Sequence, residues 1–246
     1  MKNLKWQVIL SGVLVMATVG LYVLHFLVFR DARHIFIYLL GDLAFLPLEV
    51  LFVTLIINQL LHSRDKRIKL KKMNMVIGTF FSEAGSELLR SFLKFEKNPD
   101  ALKTTILHDR RWADKDFSRL SKQLPGFDYA VDIRGGDLPA LKTYLLSQRE
   151  FLLSLLGNAN LLEHDKFTDL LWAVFHLTDE LGYRPDFDRL PAADLQHLAH
   201  DLRRAFALLV LEWLAYMRHL KHDYPYLFSL AIRTNPFDSE ASPIIK

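Results

Sequence analysis

Apolar residues run almost without interruption over 6–29 and again over 35–61, and beyond that point they fall into stripes separated by charge. At ~1.5 Å of rise per residue, either run as a helix exceeds the ~30 Å hydrocarbon core of a bilayer. The link between them, Arg30-Asp31-Ala32-Arg33-His34, is too short for anything but a tight hairpin. The pattern therefore predicts a two-helix transmembrane hairpin over residues 1–62 and a helical-bundle domain over 63–246.

That second part reads as helix throughout. Over 73–95, Met73, Ile77, Phe80, Phe81, Ala84, Leu88, Phe92 and Phe95 form one stripe at helical spacing, and the second span can continue straight into it. Asn98-Pro99 caps a short helix to about 107, and another covers 114–123 before Pro125-Gly126. Gly135-Gly136-Asp137 opens a helix expected to run to 156, and a further one spans about 164–181. Pro191 starts the longest helix, to about 222, whose stretch 205–211 is apolar on every side and too short to cross a membrane. Residues 127–133 and 227–233 have short-strand character but cannot make a substantial sheet, and 238–246 read as a loose end. The fold class is all-α.

Charge sets the orientation. Lys2 and Lys5 precede the first run, whereas Arg64, Lys66, Arg67, Lys69, Lys71 and Lys72 follow the second. The hairpin tip carries only Arg30 and Arg33, offset by Asp31, so the positive-inside bias puts both termini in the cytoplasm. The first run is too long for a signal-peptide core and lacks a small-x-small cleavage site, so it is expected to be retained. With 31 Lys+Arg against 28 Asp+Glu, most of the +3 net charge resides in the juxtamembrane cluster. That cluster suits anionic lipid headgroups; without interleaved aromatics it does not suit nucleic acid. The chain has no cysteine, which excludes disulfides, thiol catalysis and thiolate metal sites.

Asp42 and Glu49 lie inside the second run, seven residues apart, which places them on one helix face about 10 Å from each other. Carboxyls at such depth are costly and normally face protein or water. Tyr22 and His25 of the first run should come level with Asp42, and Ser11 and Gly12 with Glu49. Two readings follow: a protonated acid hydrogen-bonded across the hairpin, with Thr54, Asn58 and Gln59 as further interhelical contacts, or an ion pathway assembled from several copies.

The ten histidines include suggestive spacings. His197 and His200 adjoin Asp201, His219 and His222 adjoin Asp223, and His176 stands four residues before Glu180. Neither a duplicated Glu-x-x-His nor a His-Glu-x-x-His motif occurs, so no metal or other cofactor is assigned, and His197, His200, His219 and His222 read as solvated residues near helix ends. Glu212 sits in the apolar middle of the longest helix and calls for either a basic partner or a raised pKa. Arg134-Gly135-Gly136-Asp137 reads as a turn with Asp137 as helix cap, and Tyr224-Pro225-Tyr226-Leu227-Phe228 as packing onto the core. No phosphate loop, serine elbow or kinase signature is present.

Three segments together, Gly41-Asp42-Leu43-Ala44-Phe45-Leu46-Pro47 running to Asn74-Met75-Val76-Ile77-Gly78, Leu162-Glu163-His164 through Asp179-Glu180-Leu181, and Tyr224 to Ala231, carry a resemblance. The chain resembles an uncharacterised group of bacterial integral membrane proteins with an N-terminal hairpin and a helical tail. The resemblance implies a bacterial inner-membrane location and no known activity, so it carries no functional residues over. The expected function is a non-enzymatic, membrane-anchored interaction or regulatory module, with the lipid bilayer and a homo-oligomer or membrane-protein partner as its contacts. The alternatives are a small oligomeric cation or proton channel using Asp42 and Glu49, and a metal-dependent helical enzyme.

Overall fold

The computed structural model describes residues 2–107, 112–158, 161 and 164–245, without the side chains of 2–5, 65–69 and 71. The side chains of Lys2, Lys5, Lys66, Arg67, Lys69 and Lys71, and Leu162-Glu163, lie outside the described residues. The chain divides into two units, Met1–Lys66 and Arg67–Lys246.

The first unit holds α1 (Lys2–Phe29) and the N-terminal part of α2 (Ala32–Phe80). Their link turns at Arg30, whose φ of +49° is in the left-handed region. Its N–H still donates to the Phe26 carbonyl at 2.8 Å, and Asp31 Oδ1 accepts the His34 N–H at 3.2 Å, which caps the incoming helix. α2 passes through Pro47 and the basic stretch as one helical element.

Side chains from Trp6 to Arg64 are exposed, apart from half-buried His25 and Ile35. A Cβ added at Gly12, Gly20 or Gly41 would meet nothing within 4 Å. Thr54, Asn58 and Gln59 reach no described residue of α1 with their side chains, and the Thr18 and Ser63 hydroxyls bond back to carbonyls of their own helices, Leu14 and Gln59. The expected small-residue contact of Ser11 and Gly12 opposite Glu49 is thus not made. α2 carries Asp42, Glu49, Thr54, Asn58 and Gln59 among its apolar residues, yet the cleft shared by side chains of the two helices lies near the tip.

The second unit surrounds a continuous apolar core. Met73, Ile77 and Phe80 at the end of α2 are buried in it. A π-helical turn, Phe81–Gly85, follows, closed by the Ser86 N–H and hydroxyl on the Phe81 carbonyl. Then come α3 (Ser86–Leu93), α4 (Pro99–Leu107), α5 (Asp114–Gln123), α6 (Leu138–Ser147), α7 (Arg149–Leu156), α8 (Asp165–Tyr183), α9 (Ala192–Asp223) and α10 (Pro225–Arg233). α9 is the central element, lying along α8 and also packed against α3, α5 and α10. Ring contacts extend this core: Trp213 meets Trp112 at 5.7 Å and Phe237 at 4.9 Å, and Phe80 meets Phe167 at 5.3 Å.

Four sequence expectations need correction. The helix expected over 138–156 breaks at Gln148, which adopts φ −90°, ψ −2° while the Ser147 hydroxyl bonds the Tyr144 carbonyl. Leu145 before the break and Leu152 after it are both fully buried. Residues 227–233 are helical, because Tyr224 (φ −139°, ψ 66°) leaves the helical conformation and Pro225 supplies the first-turn φ of the next helix. Residues 127–133 make one bridge, between Glu96 and Val131. The C-terminal stretch is tied down as far as buried Phe237, and Arg233 donates to the Pro243 carbonyl.

The π turn suits Gly85. A Cβ there would approach the Phe80 and Phe81 rings to 2.7 Å, and both rings are in the core. Gly85→Ala is expected to destabilise the second unit by ~1–3 kcal/mol through overpacking, readable as a lowered denaturant midpoint.

Candidate functional site

The hairpin tip gathers polar rings that the primary sequence separates. α1 contributes Tyr22 and His25, and α2 contributes His34, Tyr38 and Asp42, around a cleft of about 270 Å³. His25 stacks on His34 at 5.8 Å, and His34 meets Tyr38 at 4.6 Å. His25 Nδ1 is buried there with no hydrogen-bond partner. Tyr22, His25 and Asp42 therefore share one cleft, whereas Glu49, a further two turns along, is exposed and outside it. Neither Asp42 nor Glu49 makes a hydrogen bond to another described residue, so the cross-hairpin bond expected of them is not formed. In the basic stretch, Arg64 and Lys72 are exposed.

A second cluster lies on the packed unit, where α8 and α9 run side by side. His176 and Glu180 are one turn apart on α8; His197 and Asp201 are one turn apart on α9. Asp201 Oδ2 lies 3.5 Å from His176 Nε2 and 3.3 Å from His197 Nε2. Glu180 Oε1 lies 3.8 Å from each of the same two nitrogens. Both imidazoles are about half exposed, while the Asp201 side chain is only 9% exposed and its Oδ2 has no hydrogen-bond partner.

Arg184 orders the carboxylates around this cluster. One terminal nitrogen donates to Glu180 Oε2 at 2.6 Å, and the guanidinium fork holds Asp194 through bonds of 2.6 and 2.8 Å. The hydrogen bond from Arg184 holds the Glu180 carboxyl below its usual range, with the charges of His176 and His197 adding to that. Glu180 is thus ionised and presents its other oxygen, Oε1, to the histidines.

His197 had read as solvated, and its spacing to His200 is not the one that matters: His200 is exposed, and His197 uses Asp201, four residues on. A legible signal existed in the pattern His-x-x-x-acid, present once on α8 and twice on α9, where His219 and Asp223 repeat it.

The other sequence candidates are structural. Asp137 Oδ1 accepts the Ala140 N–H at 2.8 Å and so caps α6. His219 is pinned by Asp223 Oδ2 at 2.7 Å and Asn74 at 3.2 Å. His164 caps α8 by accepting the Phe167 N–H at 2.9 Å, and burial holds its imidazole below the usual pKa, which favours the neutral acceptor. Glu212 has no arginine partner among the described residues. It is 4% exposed, and burial pushes its carboxyl up to about 7 against the opposing pull of the Lys166 charge.

These features define an all-helical protein with an apolar N-terminal helix pair and a packed helical unit bearing a histidine–carboxylate cluster. Residues 69–233 match the family model "Uncharacterized protein MJ1433, C-terminal helical domain", and residues 2–61 match "MJ1433, N-terminal helical domain". The chain belongs to the MJ1433 family. It is 43% identical over 241 residues to the uncharacterised protein MJ1433 of Methanocaldococcus jannaschii, covering 98% of this chain and 97% of that one. No solved structure matches. The relative is archaeal, so the bacterial setting implied by the resemblance gains no support from it.

Proposed function

We propose that this protein is a membrane-anchored helical module, held by its N-terminal helix pair in a plasma membrane and working through its packed unit by binding rather than by catalysis. The observation that carries the reading is the contrast between the units. Trp6–Phe29 and Ala32–Arg64 have mean hydropathies of 2.2 and 2.1 with no fully buried residue, whereas the second unit encloses its own core. Apolar area of this extent left in water costs roughly 25 cal/mol per Å², and lipid removes that cost without any protein partner.

The basic residues Arg64–Lys72 then lie at the cytoplasmic headgroups, favouring anionic lipid, with both termini on that side. Unbroken α2 joins the anchor to Met73, Ile77 and Phe80 of the core, giving a covalent route by which lipid or partner contact is felt in the packed unit.

Alkaline carbonate washing of membranes from cells expressing the full chain tests the anchoring. Retention in the pellet is expected, and quantitative release into the wash would overturn it. Crosslinking in native membranes tests the module: recovery of a reproducible partner or self-association product supports it, and the bare chain alone counts against it.

A further inference from the structure

We infer that His176, Glu180, His197 and Asp201 form a binding site for a divalent first-row transition-metal ion, of which zinc is the best fit. The inference rests on α8 and α9 alone and is independent of the anchoring reading.

The donor set is the first reason. Two imidazole nitrogens and two carboxylate oxygens suit zinc and its neighbours, whereas calcium and magnesium take oxygen-only shells. Distances are the second. A tetrahedron with metal–ligand bonds of ~2.0–2.1 Å has edges of about 3.3–3.4 Å. Four of the donor–donor separations are 3.3, 3.5, 3.8 and 3.8 Å, and the ligand atoms of His176, Glu180 and His197 lie within 4.8 Å of one another. The set within that range comprises His176, Glu180 and His197, so side-chain rotation of Asp201 or Glu180 is needed to bring all four donors onto one ion.

Burial supplies a third, independent reason. Asp201 Oδ2 is out of contact with water and accepts no hydrogen bond, and its polar neighbours are the two Nε2 atoms at 3.3 and 3.5 Å. A cation between these four atoms satisfies that oxygen and the two imidazoles at once. Arg184 prepares the site by occupying Glu180 Oε2, which leaves Oε1 as the ligating oxygen. The half-exposed imidazoles leave an entry path, and an ion held from both helices clamps α8 to α9 in a structural or regulatory role.

The full chain, purified in detergent without chelator, should carry a single zinc ion by elemental analysis. After chelator treatment, it should regain zinc in a calorimetric titration. Asp201→Asn and His197→Ala should each weaken binding by at least ~100-fold, the upper end of what losing a hydrogen bond to a ligand costs, and Arg184→Gln by ~10-fold. His200→Ala should leave binding unchanged. Because a ligand variant that unfolds would be mute, the unmodified chain is also loaded with Co²⁺. Intense visible bands of a four-coordinate nitrogen–oxygen site are expected. A spectrum like that of the aqueous ion, or zinc affinity equal in the parent and Asp201→Asn proteins, would overturn the inference and leave only an ion-pair cluster.

Discussion

At pH 8 the Glu212→Gln variant is expected to be more stable than the parent by up to ~3 kcal/mol, and near pH 4 the two should converge. Glu212 is buried in the middle of α9, where burial raises its carboxyl from 4.5 to about 7. A raised folded-state pKa means that the native protein binds this proton more tightly than the unfolded chain does. Between about pH 4.5 and 7 the native state therefore holds more protons, and stability falls as pH rises through that window. Above the folded-state value the loss is complete, and a displacement of this size corresponds to ~3 kcal/mol at 1.36 kcal/mol per unit. Gln keeps the shape and removes the charge. Denaturant unfolding followed by tryptophan fluorescence from pH 4 to 9 reads the difference, and Trp213 lies next in sequence. A stability gap that stays constant across this range would show that Glu212 does not titrate there.

Phe206→Ala should cost still more, ~3–5 kcal/mol, as a large aromatic truncated in a closed core. Phe206 is fully buried on α9 and meets Phe92 of α3 at 6.0 Å and Tyr129 at 5.4 Å, both edge to face. It joins three segments far apart in sequence, so the void cannot be filled by one neighbour moving. Trp172→Ala is the control: Trp172 is 56% exposed on α8, and its loss should change stability by no more than ~0.5 kcal/mol. Equal effects of the two substitutions on the unfolding midpoint would contradict the placement of the core.

Much of this fold was legible because its signals are local. The stripe Met73, Ile77, Phe80, Phe81, Ala84, Leu88, Phe92 and Phe95 is buried throughout, although a π turn interrupts the helix that presents it. Pro99, Pro125-Gly126 and Asp137 mark helix ends where backbone chemistry demands them. Residues 227–233 read as a possible short strand, and Pro225 in the first turn together with packing beside α9 makes them helical.

The histidine–carboxylate cluster was hidden for a different reason. Periodicity places His176 with Glu180 and His197 with Asp201, each on its own helix. Which face of α8 meets which face of α9 is set by the whole core, and no local rule contains it. The hairpin cleft was easier, since a short link fixes the register and brings Tyr22 and His25 level with Asp42.

The most direct measurement of the central claim uses the absence of native cysteine. Asp31→Cys at the hairpin link and Asp100→Cys on the packed unit, both exposed sites, give two single-thiol chains. In intact cells a membrane-impermeant thiol reagent should modify Asp31→Cys, and should reach Asp100→Cys only after permeabilisation. Labelling of both positions from the same side would contradict a hairpin that crosses the membrane twice.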